Sequence, residues 1–489
     1  MKYALVKGFG AKCHRLVSNL LNDKTPSSSP SLQALFAAGR DVDAIALQTI
    51  LKTNHTMEAT PSSHSDWLAT QSAIANGVTR LNQATFKVGS YYIRLDSIDL
   101  ERKKLTEVKA GSSAKDDYIT ELAIIEYFLR KEHIINEEFS IIVRDSSFST
   151  GSPWHEALRE IDVTSRVESL LKHEGFIEFV EVFEAGYDTA PEPVFVKSCK
   201  TCDFKAECWS QLEHPSFLIP RFSEKMLASV IEHEAYELAS VPDELLSTNQ
   251  LEYKNGTLSS EISISQSGLA ADLHQFASPI AHCDFEAFNL PYHPSPGLKT
   301  FEMVPFQVSI HVEEIDGSAS HFEYLCNHEF DDRESLAKFI VVSLSGVSTI
   351  VTWNVSFERR MLQHLASAVP KYSVELGQII DKLADLHPVV KSNVNHFAFG
   401  GSYSLKAVAP VLCPEFSYLG LDIDNGNDAN GTFQLLTRGM IPPSEIPKVR
   451  EDLLEYCKND TAATLAILKE LRKISKGDEK NEVENYARA

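Results

Sequence analysis

The chain has 489 residues, 43% of them hydrophobic and 23% charged, which at roughly 150 residues per domain suggests about three domains of ordinary globular composition. Forty-six Lys and Arg against 68 Asp and Glu leave a formal charge of −22. That balance argues against a positive coat for loose nucleic-acid capture or adhesion to anionic membranes, but not against metal-dependent nucleases, which concentrate carboxylates where they hold cations.

The opening MKYALVKGFGAKCHRLVSNLL lacks a continuous apolar stretch and a small-residue cleavage site, so no secretory signal is expected. No run of about 18 apolar residues is present to span a bilayer, and a soluble, cytoplasmic protein is the expectation. Residues 24–31, KTPSSSPS, read as a polar loop, and the run from Leu32 to Leu51 has helical spacing. A strand–turn–strand reading follows in ATFKVGSYYIRLDSIDL, then charged ERKK and the strand LTEVKA. DDYITELAIIEYFLRKE is an amphipathic helix and FSIIVRD another strand, which makes an α/β core.

Residues 213–275 read as a helical connector, with FSEKMLASVIEHEAYELA as its main helix. A second α/β unit spans 276–473. SPIAHCDFEAF is a buried strand, and PFQVSIHVEE alternates Phe306, Val308, Ile310 and Val312 against Gln307, Ser309 and His311, as a strand with one buried face does. SHFEYLCNHEF and VSTIVTWN are further strands, DDRESLAKFIVVSLSG and SFERRMLQHLASAV helices, and residues 474–489 a charged disordered tail.

Asp284 and Glu286 stand at i and i+2 on a strand, so both side chains leave one face while Phe285 leaves the other. Two such carboxylates among apolar neighbours are costly unless solvated or neutralised by cations. Asn354 falls at a strand end, Glu358 in the first turn of the next helix, and Tyr456 and Asp460 at i and i+4 on a late helix. Four carboxylates from these elements can converge on two divalent ions, which activate a water and stabilise the leaving oxygen of a phosphodiester. CDFEAF, WNVSFE and YCKND resemble the three motifs of the DEDD exonucleases, the DnaQ-like branch of the RNase H-like fold. The resemblance implies 3′→5′ exonucleolysis with Mg²⁺ or Mn²⁺, with Asp284, Glu286, Glu358 and Asp460 as ligands and Tyr456 orienting the water. Glu358 stands where that family usually has aspartate. Asp385 and Lys406 also look like positions of a bacterial subgroup; Asp385 by itself reads rather as a helix-end carboxylate, and Lys406 equally as a partner of phosphate or a solvated lysine. Cys283 and Cys457 read as small core residues.

In the first half, Asp96, Glu107 and Lys109 fall on paired strands, where the two acids can share a metal and the lysine can stabilise charge. The pattern, with its helix behind it, resembles the PD-(D/E)xK nucleases of the RecB type over residues 1–212. Ile125 stands where these enzymes often have glutamine, and the first-helix acid is either Asp41 or Asp43. Cys199, Cys202 and Cys208 lie close together and Cys13 far ahead. Thiolates suit Fe–S or zinc, and the split is similar to iron-staple nucleases, including the CRISPR-associated RecB-like exonucleases. That resemblance implies a 4Fe–4S cluster, with Zn²⁺ the alternative.

The order of the two halves is similar to a bacterial family with this pairing. The expectation is therefore a metal-dependent DNA nuclease of repair, recombination or defence, acting on single strands or free ends. The alternative is a non-catalytic nucleic-acid-binding scaffold stapled by a metal. Lys103, Lys104, Lys109 and Lys115 form a candidate basic strip.

Overall fold

The computed structural model describes residues 1–22, 29–187, 189–260, 262–314, 317–416, 420, 422–423 and 425–476. It is mixed α/β and divides into two compact units. One comprises Met1–Ser27, Leu35–Glu213 and Leu290–Phe301; the other Ser28–Ala34, His214–Asn289 and Glu302–Ala489. Residues 214–275, read above as a connector, thus group with the second unit, and 290–301 group with the first. Among the described residues no helix is long and apolar enough to cross a membrane.

The first unit holds a six-stranded sheet in sequential order: β1 (His55–Thr56), β2 (Arg80–Val88), β3 (Tyr91–Asp99), β4 (Lys104–Lys109), β5 (Glu138–Arg144) and β6 (Leu158–Asp162). β2 and β3 form a hairpin turned at Gly89, whose φ of 58° suits a residue without Cβ. β4 and β5 run parallel; the connection between them is the predicted helix. The helices needed below are α1 (Lys2–Ala11), α2 (His14–Asn22), α3 (Pro30–Thr49), α4 (Ser63–Ala75) and α5 (Asp116–Lys131). Leu5, Leu95, Leu122, Ile125 and Phe139 are among the residues of the main core. Gly8 lets α1 and α2 approach closely, since a Cβ there would lie 2.1 Å from Val17 Cγ2.

The second unit has a five-stranded sheet. β8 (Ile280–Phe288), β9 (Val304–Glu313) and β10 (Ala319–Leu325) form an antiparallel meander, and β11 (Thr349–Thr352) and β12 (Leu383–Asp385) add parallel strands beside β8. The spatial order is β10-β9-β8-β11-β12; the short β7 (Ile262–Ile264) pairs separately with β13 (Val394–His396). The helices that matter are α6 (Ser356–Ala368), α7 (Leu405–Leu412), α8 (Gly426–Thr437) and α9 (Ile446–Lys476).

β9 departs from its predicted half-exposed pattern, for Gln307 and Ser309 are as buried as Phe306 and Val308. The reason is α9, which lies on that face and pairs with its polar side chains: Gln307 Nε2 donates to Leu453 O at 2.7 Å, and the Ser309 hydroxyl pairs with that of Thr461 at 2.8 Å. The predicted helix from Phe222 is shorter, Glu224–Glu232, ending before Glu234 at positive φ. The third strand stops at Leu325 rather than running to Phe330. Helix α3 starts at Pro30, inside the expected loop, of which residues 24–28 lie outside the described residues. The tail prediction meets helix through Lys476, and 477–489 lie outside the described residues.

Candidate functional site

In the second unit, β8 presents Asp284 and Glu286 toward α9, which returns Asp460 to them. Ligand oxygens of Asp284, Glu286 and Asp460 lie within 4.8 Å of one another, the one such group of three or more His, Cys, Asp or Glu side chains among the described residues. Glu286 and Asp460 are buried, Asp284 partly so. Burial, then repulsion from Asp460, Glu286 and Glu358, raises the Asp284 carboxyl well above the carboxylate range, against a thiol donated by Cys457 at 3.3 Å. Burial and Asp460 likewise raise Glu286, while Lys406 pulls it down.

Glu358, in the first turn of α6, is 2% exposed, and its Oε2 has no hydrogen-bond partner among the described residues. Burial pushes it up to about 8, with Asp385 adding to the rise. Such an orphaned buried oxygen, beside three carboxylates that resist simultaneous ionisation, fits a site that takes divalent cations. Asp385 does not join the trio. It accepts from the backbone N–H of Asn354, Val355 and His387 at 3.0, 3.1 and 3.0 Å, which fixes the turn entering α6 and hence the origin of Glu358. Tyr456 is buried, and Lys406 of α7 sits 4.8 Å from its ring centroid. Burial, then Asp460, Glu286 and Asp284, keeps the phenol protonated. Cys283 is a core residue, as read from the sequence.

In the first unit, Glu107 is fully buried and receives Lys109 Nζ at 2.9 Å. Asp96 Oδ2 accepts from the backbone N–H of Val108 at 2.8 Å, tying β3 to β4. Two residues escaped sequence reading. Glu121 of α5 meets Lys109 at 2.9 Å, and Lys2 of α1 meets Glu121 at 2.8 Å and Glu107 at 3.6 Å. The polar residue that α5 turns to this cluster is therefore at 121, whereas Ile125 is buried in the core. Of the two first-helix acids, Asp43 faces the cluster. Burial pushes it up to about 6, Lys109 opposing and Glu107 adding. Burial alone would lower both lysines, but Glu107, Glu121 and Asp96 outweigh it and raise them. Glu107 Oε1 has no partner among the described residues.

The expected basic strip is not a free cationic face. Lys103 pairs with Glu137 at 2.6 Å, Lys104 with Glu160 at 2.7 Å, and Lys109 is within the cluster. Lys115 lies 6.0 Å from the Tyr118 ring centroid.

All four cysteines are free thiols. Cys13 follows α1, Cys199 lies in a short 3₁₀ turn, and Cys208 ends the turn Lys205–Cys208. Burial raises the thiols of Cys199, Cys202 and Cys208, and each also feels Cys13. Arg15, which pairs with Glu207 at 2.7 Å, draws Cys208 back down. His14 Nδ1 meets the Tyr187 hydroxyl at 2.8 Å, a second link between the chain's first turns and the cysteine-bearing segment.

Residues 281–404 match a family model described as a domain of unknown function, DUF2779. No curated protein and no solved structure matches the chain.

Proposed function

We propose that the chain is a metal-dependent DNA nuclease whose second unit is a DnaQ-like 3′→5′ exonuclease of RNase H-like fold. The observation that carries this reading is the convergence of Asp284, Glu286 and Asp460, with the orphaned Glu358 oxygen as a fourth acidic group. The strand order, a three-stranded meander extended by two parallel strands, is the arrangement that the RNase H-like resemblance calls for. Two Mg²⁺ or Mn²⁺ ions held by Asp284, Glu286, Glu358 and Asp460 would supply water activation and stabilisation of the leaving oxygen. Tyr456, kept neutral, offers an O–H to position the water, and Lys406 places a cation beside the phosphate. Glu358 is one methylene longer than the aspartate of the family and starts from a helix end that Asp385 holds in place.

The test is digestion of DNA labelled at either end, with Mg²⁺ or Mn²⁺, by wild type and Asp284→Ala. Stepwise loss from the 3′ end in wild type alone supports the reading. Absence of metal-dependent cleavage by wild type on single- or double-stranded DNA sinks it, and the non-catalytic scaffold then leads.

The first unit supports a second reading, a RecB-like PD-(D/E)xK nuclease or DNA-binding domain, through the meeting of Asp96, Glu107, Lys109 and Asp43. A separate activity lost in Lys109→Ala would make it a second active centre. The four thiols would supply ligands for a 4Fe–4S cluster, which the iron-staple resemblance favours, or for one Zn²⁺ as the alternative. Iron and zinc analysis of anaerobically purified protein decides between them.

A further inference from the structure

Three aromatic side chains of the first unit gather away from its core. Trp67 of α4 lies 5.4 Å from the His64 ring and 6.5 Å from Tyr92 on β3, centroid to centroid. His64 Nδ1 meets the Tyr92 hydroxyl at 2.9 Å. None of the three packs against the main core cluster; His64 is exposed, and Trp67 and Tyr92 are half-buried. Leu68 beside them is 50% exposed. Aromatic side chains left partly exposed outside the core offer π-faces on which the bases of a single strand can stack.

The cations lie in the same place. Lys87, opposite Tyr92 in the hairpin register, is exposed and sits 5.6 Å from the Trp67 ring centroid. Arg94 stands two residues beyond Tyr92, its side chain 34% exposed and 3.8 Å from Asp66. From Arg94 a hydrogen-bond chain leads inward: Arg94 Nε donates to Gln83 at 3.1 Å, and Gln83 Nε2 reaches Asp96 at 3.5 Å. Arg94, on the same strand face as Tyr92, is thus linked through Gln83 to Asp96 of the carboxylate–lysine cluster. Tyr92 precedes Asp96 by four strand residues, roughly 13 Å.

We infer that His64, Trp67, Tyr92, Lys87 and Arg94 form a subsite for single-stranded nucleic acid. Bases stack on Trp67 and Tyr92, phosphates lie against Lys87 and Arg94, and the strand runs on toward Asp96 and Lys109. Single strands are singled out because paired bases hide their faces, whereas a splayed strand offers a base to each ring and a phosphate to each cation. The inference rests on the nuclease reading of the first unit, to which it adds the residues that would hold a single strand.

The test uses the full chain in EDTA, so that binding is read without cleavage. Anisotropy of a fluorescein-labelled oligothymidylate of about twenty nucleotides is compared with that of a blunt hairpin duplex. Trp67→Ala and Tyr92→Ala should each raise Kd for the single strand about tenfold, Lys87→Glu should steepen the loss, and Trp67→Phe should restore most of it. Circular dichroism confirms folding, and ultraviolet crosslinking of an iodouracil oligonucleotide should map to Trp67 or Tyr92. Unchanged single-strand affinity in all variants overturns the subsite but leaves the nuclease reading standing. Failure of the wild type to bind any nucleic acid overturns both. Relief of self-association by Trp67→Ala without loss of oligonucleotide binding shows a protein-contact patch and also overturns it.

Discussion

The two acidic clusters manage buried charge in opposite ways. In the first unit Lys2 and Lys109 are inserted among Asp96, Glu107, Glu121 and Asp43, and the result is a network in which two cations offset part of the acidic charge and hold their protons strongly. In the second, burial and then repulsion from Asp460 raise both Asp284 and Glu286; the nearby Lys406 lowers Glu286 without reversing the shift. The first cluster contributes to folding through its own ion pairs. The second is under electrostatic strain that cations from solution would relieve.

The largest contrast should appear in catalysis. Asp284→Ala should lower metal-dependent 3′-end digestion about a thousandfold, equivalent to about 4 kcal/mol of barrier, in single-turnover assays. Retention of that activity would remove the second unit from the chemistry. Stability should respond in the reverse sense. Lys109→Met leaves the fully buried Glu107 with only the longer pairing to Lys2 and should cost about 3 kcal/mol in urea unfolding, whereas Asp284→Asn should leave the metal-free protein as stable or more so. Equal losses from both substitutions would erase the distinction between the clusters.

The pH dependence is a finer discriminator. Glu358 is raised from its ordinary 4.5 to about 8, so between those values the folded state binds more protons than the unfolded one. The stability this contributes is complete below the lower value and is lost as pH rises through the upper one. The metal-free Tm should therefore fall from pH 5 to about 8, and Glu358→Gln should flatten that fall in calorimetry. A Tm that rises over this interval in wild type, and not in the variant, would contradict the assignment. The smallest effect belongs to Glu121→Gln. It weakens a partly exposed pairing with Lys2 and Lys109 and should cost no more than about 1 kcal/mol, measured by the same urea titration.

The sequence made one cluster more legible than the other for a geometric reason. Asp284 and Glu286 share a strand face, and Tyr456 and Asp460 a helix face, so local periodicity alone brings each pair to one side. Lys2 reaches Glu107 across more than a hundred residues of chain, and no spacing rule announces such a contact. Helix α5 hid its polar position because it is buried on most of its circumference, from Ile119 to Leu129, so its apolar pattern does not mark the face on which Glu121 meets the cluster. The lysines of the expected strip were visible as charges, but their carboxylate partners, Glu137 and Glu160, come from β5 and β6 or their approach. β9 was recognised from its alternation, yet the burial of its polar face follows from α9, which only the tertiary fold supplies.

The anchoring of α9 also sets where the chain can tolerate length changes. Leu453 is held to Gln307 and Thr461 to Ser309, and Tyr456 and Asp460 lie between these two attachments. One inserted residue within that window would turn Asp460 by about 100° relative to Leu453, so the attachments and the carboxylate could not all be kept. An insertion beyond Lys476 disturbs none of them. Single-codon insertions and deletions scanned along α9 should therefore be purged between 453 and 461 and accepted past its end.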